Sequence, residues 1–539
     1  MRSAPLPDDQ PHWPPAAFPA GLGPATLRLR THIQNRIDAD GALRSPCHSR
    51  VLESVLLLAL LDRTHRAPAA RHRLADYLAA HRSSVDPMDR LLARTALDRR
   101  PDPAGLPDME RFLAQAPDFT GPRKRALLQA ILLLLGAARE PGLPDPEAFS
   151  HRGLHSWAQV QVTAVKTVLA HAHGHPYLID ERDVGLLRST QRANTVWEGN
   201  LLIHLSVLHA LARLPGQHHL VVQGIRTALE HQRADGGMPF ICDEDTWVTA
   251  TAGVALHAAG APGPVLDAIA GRLLRLQHPD GSWSYTEHAR LADTDCTAVA
   301  AEMLHLTGPG THRAPVQRAI GALHALRGHD GGFPTYLAGA PSEASMTAAA
   351  ANALTTQGPP QRTAVQAALE FLAAQQHPDG SFPPDWSSSR HHTIFRATLA
   401  ATGHRSIPGS AGQRITDRAI RLVLRTQNAD GGWGRLDSDA SDALSTAYAL
   451  ITLTRHDAAG PAARGAAYLL TQQRPDGSIA SAADSIGPRP FAFTVPALAD
   501  TFALLALGHL TRRLAPIPPQ PDQRTPTAVR HAEQGVSLH

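Results

Sequence analysis

The chain has 539 residues, 43% of them hydrophobic, and a net charge of only +3 from 51 basic and 48 acidic side chains. That length exceeds one ordinary core, so two domains are expected, and the near balance of charge, with no basic run, gives no electrostatic case for nucleic acid. Three scattered cysteines, Cys47, Cys242 and Cys296, are too few for a disulfide framework and suit a reducing cytoplasm.

From the N-terminus, MRSAPLPDDQPHWPP is polar and proline-rich and lacks the apolar core of a signal peptide. No apolar stretch approaches the ~20 residues that span a bilayer. The densest group of the 31 histidines, HAHGH at His171 to His175, ends an apolar helix before Pro176 and reads as compositional bias rather than metal binding.

One pattern then organises the chain. A helix ends near Gln, and two or three residues later come Asp-Gly and a hydrophobic or aromatic residue: QRADGGMPF, QHPDGSWSY, GHDGGFPTY, QHPDGSFPPDW, QNADGGWG and QRPDGSIA. Their Asp residues are Asp235, Asp280, Asp330, Asp379, Asp430 and Asp476, and a looser copy lies around Asp40. A period near 50 residues marks a repeat architecture. Between the turns, runs such as DRAIRLVLRTQ and SDALSTAYALITLTR place apolar residues three and four apart, as in amphipathic helices. Each unit is thus two helices and a turn, with glycine tolerating positive φ after the helix end.

GRLLRLQHPDGSW (271–283) and RAIRLVLRTQNADGGW (418–433) resemble the QW motifs of terpene cyclases of the squalene–hopene type. The resemblance runs from about 190 to 510, with Met, Phe or Ile replacing Trp in several copies. GGMPFICDEDTWVTATAG, PSEASMTAAAANAL and IGPRPFAF look more like bacterial diterpene- and drimane-type prenyl diphosphate cyclases than hopene cyclases. The resemblance implies an all-α fold of two (α/α) toroids in the βγ arrangement. Residues 1–30 plus 265–515 would form the β toroid, 31–264 an inserted γ toroid, and the polar, Pro-rich 516–539 a disordered tail.

The stretch LADTDCTAVAAEML begins with Asp293-Thr294-Asp295-Cys296, followed by Thr297. Two adjacent carboxyls favour one holding a proton while the other accepts a hydrogen bond from it. The match to the family's DxDD motif implies Asp295 as proton donor and Asp293 as its neighbour, with Cys296 a small substitute for the last acid. The plain reading of the same residues is a helix N-cap. A pair of equal spacing, Asp437 and Asp439, reads as turn and capping residues.

The resemblance further implies aromatic walls that stabilise a cation, for which Tyr285, Phe333, Tyr336 and Trp386 are candidates, while Trp283 and Trp433 serve packing. Aromatics form only 5% of the chain, which suits one or two rings. No DDxxD occurs, so a diphosphate would be bound and kept. Arg396, Arg489 and Arg390 are its candidate contacts. Mg²⁺ is expected with it, with Glu198 or Asp243 to Asp245 as ligands only if these are not ordinary acidic turns, the reading favoured here. The final base is left open among His391, His392, a backbone-assisted water and no specific group.

The expected activity is therefore class II cyclisation of a linear prenyl diphosphate, geranylgeranyl first and farnesyl next, to a bicycle with the diphosphate retained. The enzyme would be a cytoplasmic monomer or homodimer. The alternatives are a zinc enzyme like a protein prenyltransferase β subunit, with Cys296 as ligand, and a non-catalytic toroid scaffold whose interior behind Asp295 is filled.

Overall fold

The Asp-Gly turns share one set of hydrogen bonds. At 277–283, the Gln277 carboxamide donates to the carbonyls of Gly281 (3.0 Å) and Pro315 (2.9 Å). The Asp280 carboxylate accepts from the Ser282 backbone N–H (3.0 Å), and the Trp283 indole donates to the Leu273 carbonyl (2.8 Å). Gly281 has φ 95°, a conformation that glycine adopts without strain. Gln376, Gln427 and Gln473 repeat the bridge to Ile415, Pro461 and Ala25. Each glutamine thus ties its own turn to the next outer helix.

The computed structural model describes residues 12–100, 106–114, 121–137, 143–192, 194–404 and 409–514. The tail expected at 516–539 lies outside them. Its helices in chain order are α1 (Leu22–Gln34), α2 (Val51–Thr64), α3 (Pro68–Ala80), α4 (Pro87–Asp98), α5 (Leu106–Leu113), α6 (Gly121–Leu134) and α7 (Ser156–Ala172). There follow α8 (Glu181–Ser189), α9 (Leu201–Leu211), α10 (His218–Leu229), α11 (Asp245–Ala258), α12 (Gly263–Leu276), α13 (Thr294–Thr307), α14 (Arg313–Leu326) and α15 (Ala344–Thr355). The last are α16 (Arg362–Gln375), α17 (His391–Ala401), α18 (Ala411–Arg425), α19 (Ala443–Leu453), α20 (Ala459–Thr471) and α21 (Ala497–Leu514).

The six helices α11, α13, α15, α17, α19 and α21 pack in succession, and α21 returns to α11, so they close a ring. The outer layer is α12, α14, α16, α18, α20 and, from the start of the chain, α1, which packs on α21. Sequence sorts the layers. Every residue of α19 is buried, as in a helix that is apolar all round, whereas α18 buries one stripe, including Ile415, Ala419, Ile420 and Val423. Gly508 permits the closure of α21 on α11, since a Cβ there would lie 2.7 Å from the Ala258 carbonyl carbon. The ring includes α11, which lies before the boundary expected at 265.

Helices α2 to α10 form a second assembly around α2, α9 and α7. Its link to the repeats is Gln232, whose carboxamide donates to the Ala70 carbonyl on α3 (3.2 Å). There are two short antiparallel pairs: β1 (Ser49–Arg50) with β2 (Met238–Pro239) joins distant segments, and β3 (Ser485–Ile486) with β4 (Ala492–Phe493) is a local hairpin. The assemblies touch where Arg50 donates to the Gly487 carbonyl (2.5 Å) and Phe112 packs edge-on against Phe491 at 4.4 Å. No helix among the described residues is long and apolar enough to cross a membrane.

Candidate active site

The N-terminal ends of the ring's inner helices face α6 and α7 of the second assembly, and between them lies a cavity of about 640 Å³. Asp293, Asp295 and Cys296 are in its wall.

Comparing the repeats separates what this turn shares from what it adds. Asp293 is the N-cap of α13 and accepts from the Cys296 N–H (2.8 Å), as Asp442 caps α19 by accepting from the Ser445 N–H (2.8 Å). Thr297 accepts from the Trp283 N–H (3.1 Å), as Thr347 does from Phe333 (2.9 Å) and Thr446 from Trp433 (3.0 Å). Asp293 and Thr297 therefore have roles in the repeat. At the place of Asp295 the other two helices carry Ser345 and Leu444. The repeat does not account for Asp295.

Asp295 is held by Arg396, whose guanidinium Nη1 lies 2.6 Å from its Oδ1. Both are largely buried, and although burial opposes its charge, Asp295 raises the Arg396 pKa. Arg396, expected on a diphosphate, is instead committed to Asp295 and is not in the cavity wall. Asp293 has no such cation among the described residues. Burial pushes its carboxyl up to about 7, and the Asp295 charge adds to this against the Cys296 hydrogen bonds. Glu244, just before α11, is pushed up to about 8 by burial and by Asp293, Asp295 and Asp243. The site thus keeps protons on carboxyl groups near neutral pH. Burial and the Asp293 carboxyl also push the Cys296 thiol well up, which opposes the thiolate a zinc site would need.

The aromatic wall is built from both assemblies. Trp157 of α7 meets Tyr285 edge-on at 5.4 Å and Tyr336 at 5.6 Å, and Tyr336 meets Trp386 at 6.1 Å. The Tyr285 hydroxyl donates to the Glu198 carbonyl (2.5 Å). Tyr285, Tyr336 and Trp386 thus stand where the sequence places them, in the wall. Phe333 does not. It is wholly buried at the turn position of Trp283 and Trp433, so it serves packing.

Arg489 lies 4.6 Å over the Trp386 ring and 2.8 Å from Glu343, in the wall. Near it are Arg123 and Lys124 of α6, which the sequence reading missed. Burial pushes the Lys124 ammonium down to about 7, with Arg489, Arg123 and Arg50 adding repulsion. Arg390 is not in the wall and pairs with Asp437 (2.5 Å).

Of the magnesium candidates, Glu198, Asp243 and Asp245 are otherwise engaged, while Glu244 is in the cavity wall. Glu198 Oε2 accepts from the Trp157 indole (3.0 Å) and the Arg290 N–H (2.8 Å). Asp243 accepts from Thr286 (2.6 Å), and Asp245 accepts from the Ser45 N–H (2.9 Å) and pairs with Arg44 (3.2 Å). Among the described residues no three His, Cys, Asp or Glu side chains are grouped to hold a metal ion. These residues do not fit a protein-built magnesium cage.

Residues 337–512 match the squalene-hopene cyclase C-terminal domain family, and residues 205–383 the prenyltransferase alpha-alpha toroid domain family. A drimenyl diphosphate synthase of Streptantibioticus cattleyicolor is 42% identical over 515 residues, covering 91% of this chain and 96% of that relative. Another, of Streptomyces showdoensis, is 38% identical over 509 residues, covering 90% and 95%. In fold, the chain is similar to an ent-copalyl diphosphate synthase of Streptomyces platensis, with a TM-score of 0.58 at 19% identity, over 90% of this chain and 100% of that one. Similar to its relatives over nearly their whole length, the chain is an enzyme and belongs to the class II terpene cyclases of the squalene–hopene cyclase superfamily.

Proposed function

We propose that the enzyme cyclises a linear prenyl diphosphate by protonating its terminal double bond, closes two fused rings, and releases a bicyclic alkene that still carries its diphosphate. The observation that carries this reading is the Asp293–Asp295 pair in the wall of an aromatic cavity that also presents three cationic side chains, Arg123, Lys124 and Arg489. Carboxyls that hold protons meet the alkene, and cations meet the diphosphate.

Asp295 hands over the proton: paired with Arg396 it is the charged member at rest, it is loaded from the proton that Asp293 holds, and Arg396 stabilises the carboxylate left behind. Asp293, its carboxyl pushed up to about 7, holds that proton beside Asp295. The faces of Tyr285, Trp157, Tyr336 and Trp386 stabilise the successive cations and keep water out. Ring closure itself needs no further reagent, only a folded chain held in place.

The relatives' names favour the C15 chain, since drimenyl diphosphate is a bicycle of farnesyl size. Farnesyl diphosphate is thus placed ahead of geranylgeranyl diphosphate, reversing the order expected from sequence. The diphosphate is taken to arrive as its magnesium complex. The β toroid is assigned to α1 with α11 to α21 and the γ unit to α2 to α10.

Purified protein is incubated with Mg²⁺ and either diphosphate, and the dephosphorylated products are analysed by GC–MS beside Asp295→Asn. A bicyclic alcohol from farnesyl diphosphate, absent in Asp295→Asn, is the expected result. Linear alcohols alone from both substrates would refute the reading.

A further inference from the structure

Cyclisation ends when a carbon next to the final cation gives up a proton, and the wall must supply the group that receives it. His391 and His392 are adjacent in sequence, but only His392 is in the wall. His392 Nδ1 lies 3.1 Å from Asp385 Oδ2, with both side chains buried. Asp385 is fixed in turn by the Ser387 N–H (2.7 Å) and the Thr393 hydroxyl. Although burial raises the Asp385 carboxyl, His392 and these donors bring it below its ordinary value, so it stays an anion. In a neutral ring, a carboxylate on Nδ1 sets the tautomer, with the proton on Nδ1 and a lone pair on Nε2. No hydrogen-bond partner occupies Nε2 among the described residues.

We infer that His392, oriented by Asp385, is the base that ends the reaction, and this rests on the cyclase reading above. Its place fits. His392 and Arg396 are one turn apart on one face of α17, ~5–6 Å between their Cβ atoms, and Arg396 holds Asp295. His392 thus shares the cavity wall with Asp295, Trp386 and Arg489. Phe395 and Tyr448 meet its ring edge-on at 5.7 and 5.4 Å and hold its plane.

Other groups in the wall are less suited. Asp484 accepts from the hydroxyls of Tyr448 (2.9 Å) and Ser387 (2.8 Å). Glu343 pairs with Arg489. Burial, with Arg123 and Lys124, holds His155 down to about 4, too weak a base to keep a proton. In the step itself, a C–H bond beside the cation breaks and its electron pair becomes the new double bond. The proton passes to His392 Nε2, giving an imidazolium paired with Asp385, and the diphosphate is untouched.

The test is the product distribution of His392→Gln, His392→Ala and Asp385→Asn, each checked for native circular dichroism, against wild type. Both His392 variants should still consume substrate, because Asp295 is intact. The wild-type alkene should lose its place as main product to isomeric alkenes and a hydroxylated bicycle, with Asp385→Asn shifting in the same direction by less. Unchanged product ratios in the folded variants would overturn the assignment of the base alone. So would complete loss of cyclisation in them, which would place His392 in the protonation step. A wild-type enzyme that returns both diphosphates linear would overturn the cyclase reading, and the base with it.

Discussion

Replacing Asp293 by Asn should stabilise the protein in a pH-dependent way while disabling it. Burial keeps the Asp293 carboxyl protonated up to about pH 7 in the folded chain, whereas an unfolded aspartate loses its proton near ~3.9. Between these values the folded state binds more protons than the unfolded one. Stability is therefore full below the lower value and falls as pH rises through the window, by ~1.4 kcal/mol per unit and ~4 kcal/mol in all. Asparagine can accept the Cys296 N–H as the N-cap does now, but it does not titrate. Relative to wild type, Asp293→Asn should gain ~3 kcal/mol on going from about pH 5 to about pH 8. Cyclisation should fall by ~10²-fold or more, the usual scale of a lost acid–base group. Urea unfolding of both proteins at the two pH values, with GC–MS turnover alongside, measures both effects. A stability difference that does not change with pH would show that Asp293 holds no buried proton, and the reasoning would fail.

Removing the cation from Asp295 with Arg396→Met should abolish cyclisation and destabilise the protein by ~3–5 kcal/mol, because a buried carboxylate loses its partner; thermal unfolding and product analysis read both. Lys124, held down to about 7, should be mostly neutral at about pH 8 and recharge when an anion binds. Calorimetry of inorganic diphosphate binding in buffers of different ionisation enthalpy should then show uptake of about one proton, lost in Lys124→Met. Gly281→Ala forces a side chain into φ 95° with its Cβ 2.5 Å from the Arg318 carbonyl. It should lower stability by more than ~1 kcal/mol without changing the product made by the folded enzyme.

The repeat was legible because it is local chemistry. Gln, Asp-Gly and an aromatic must recur wherever a helix end is tied to the next outer helix, so spacing exposed the turns and the helix pairs, and the residues within them carried the resemblance to the family. The same logic, applied more strictly, would have set Phe333 aside, since DGGF aligns with DGSW and Phe333 therefore falls on the packing position of Trp283. It would also have shown Asp295 as the acid without a counterpart in neighbouring units, whereas Asp293 is matched by Asp442.

What tertiary structure alone decided is which of these residues meet. Arg396 reaches Asp295 across 101 residues, and no local pattern distinguishes it from an arginine on a phosphate. Arg123, Lys124 and Trp157 belong to the segment where the repeat is faint, so nothing in their spacing marked them. His391 and His392 were equivalent until the helix put one in the cavity wall. The physical reason is that a hydrogen-bonded turn is fixed by neighbours in sequence and leaves a periodic trace. A cavity between two assemblies is fixed by which helix ends converge when a ring closes, and burial and charge there reset the protonation of side chains that look ordinary in the sequence.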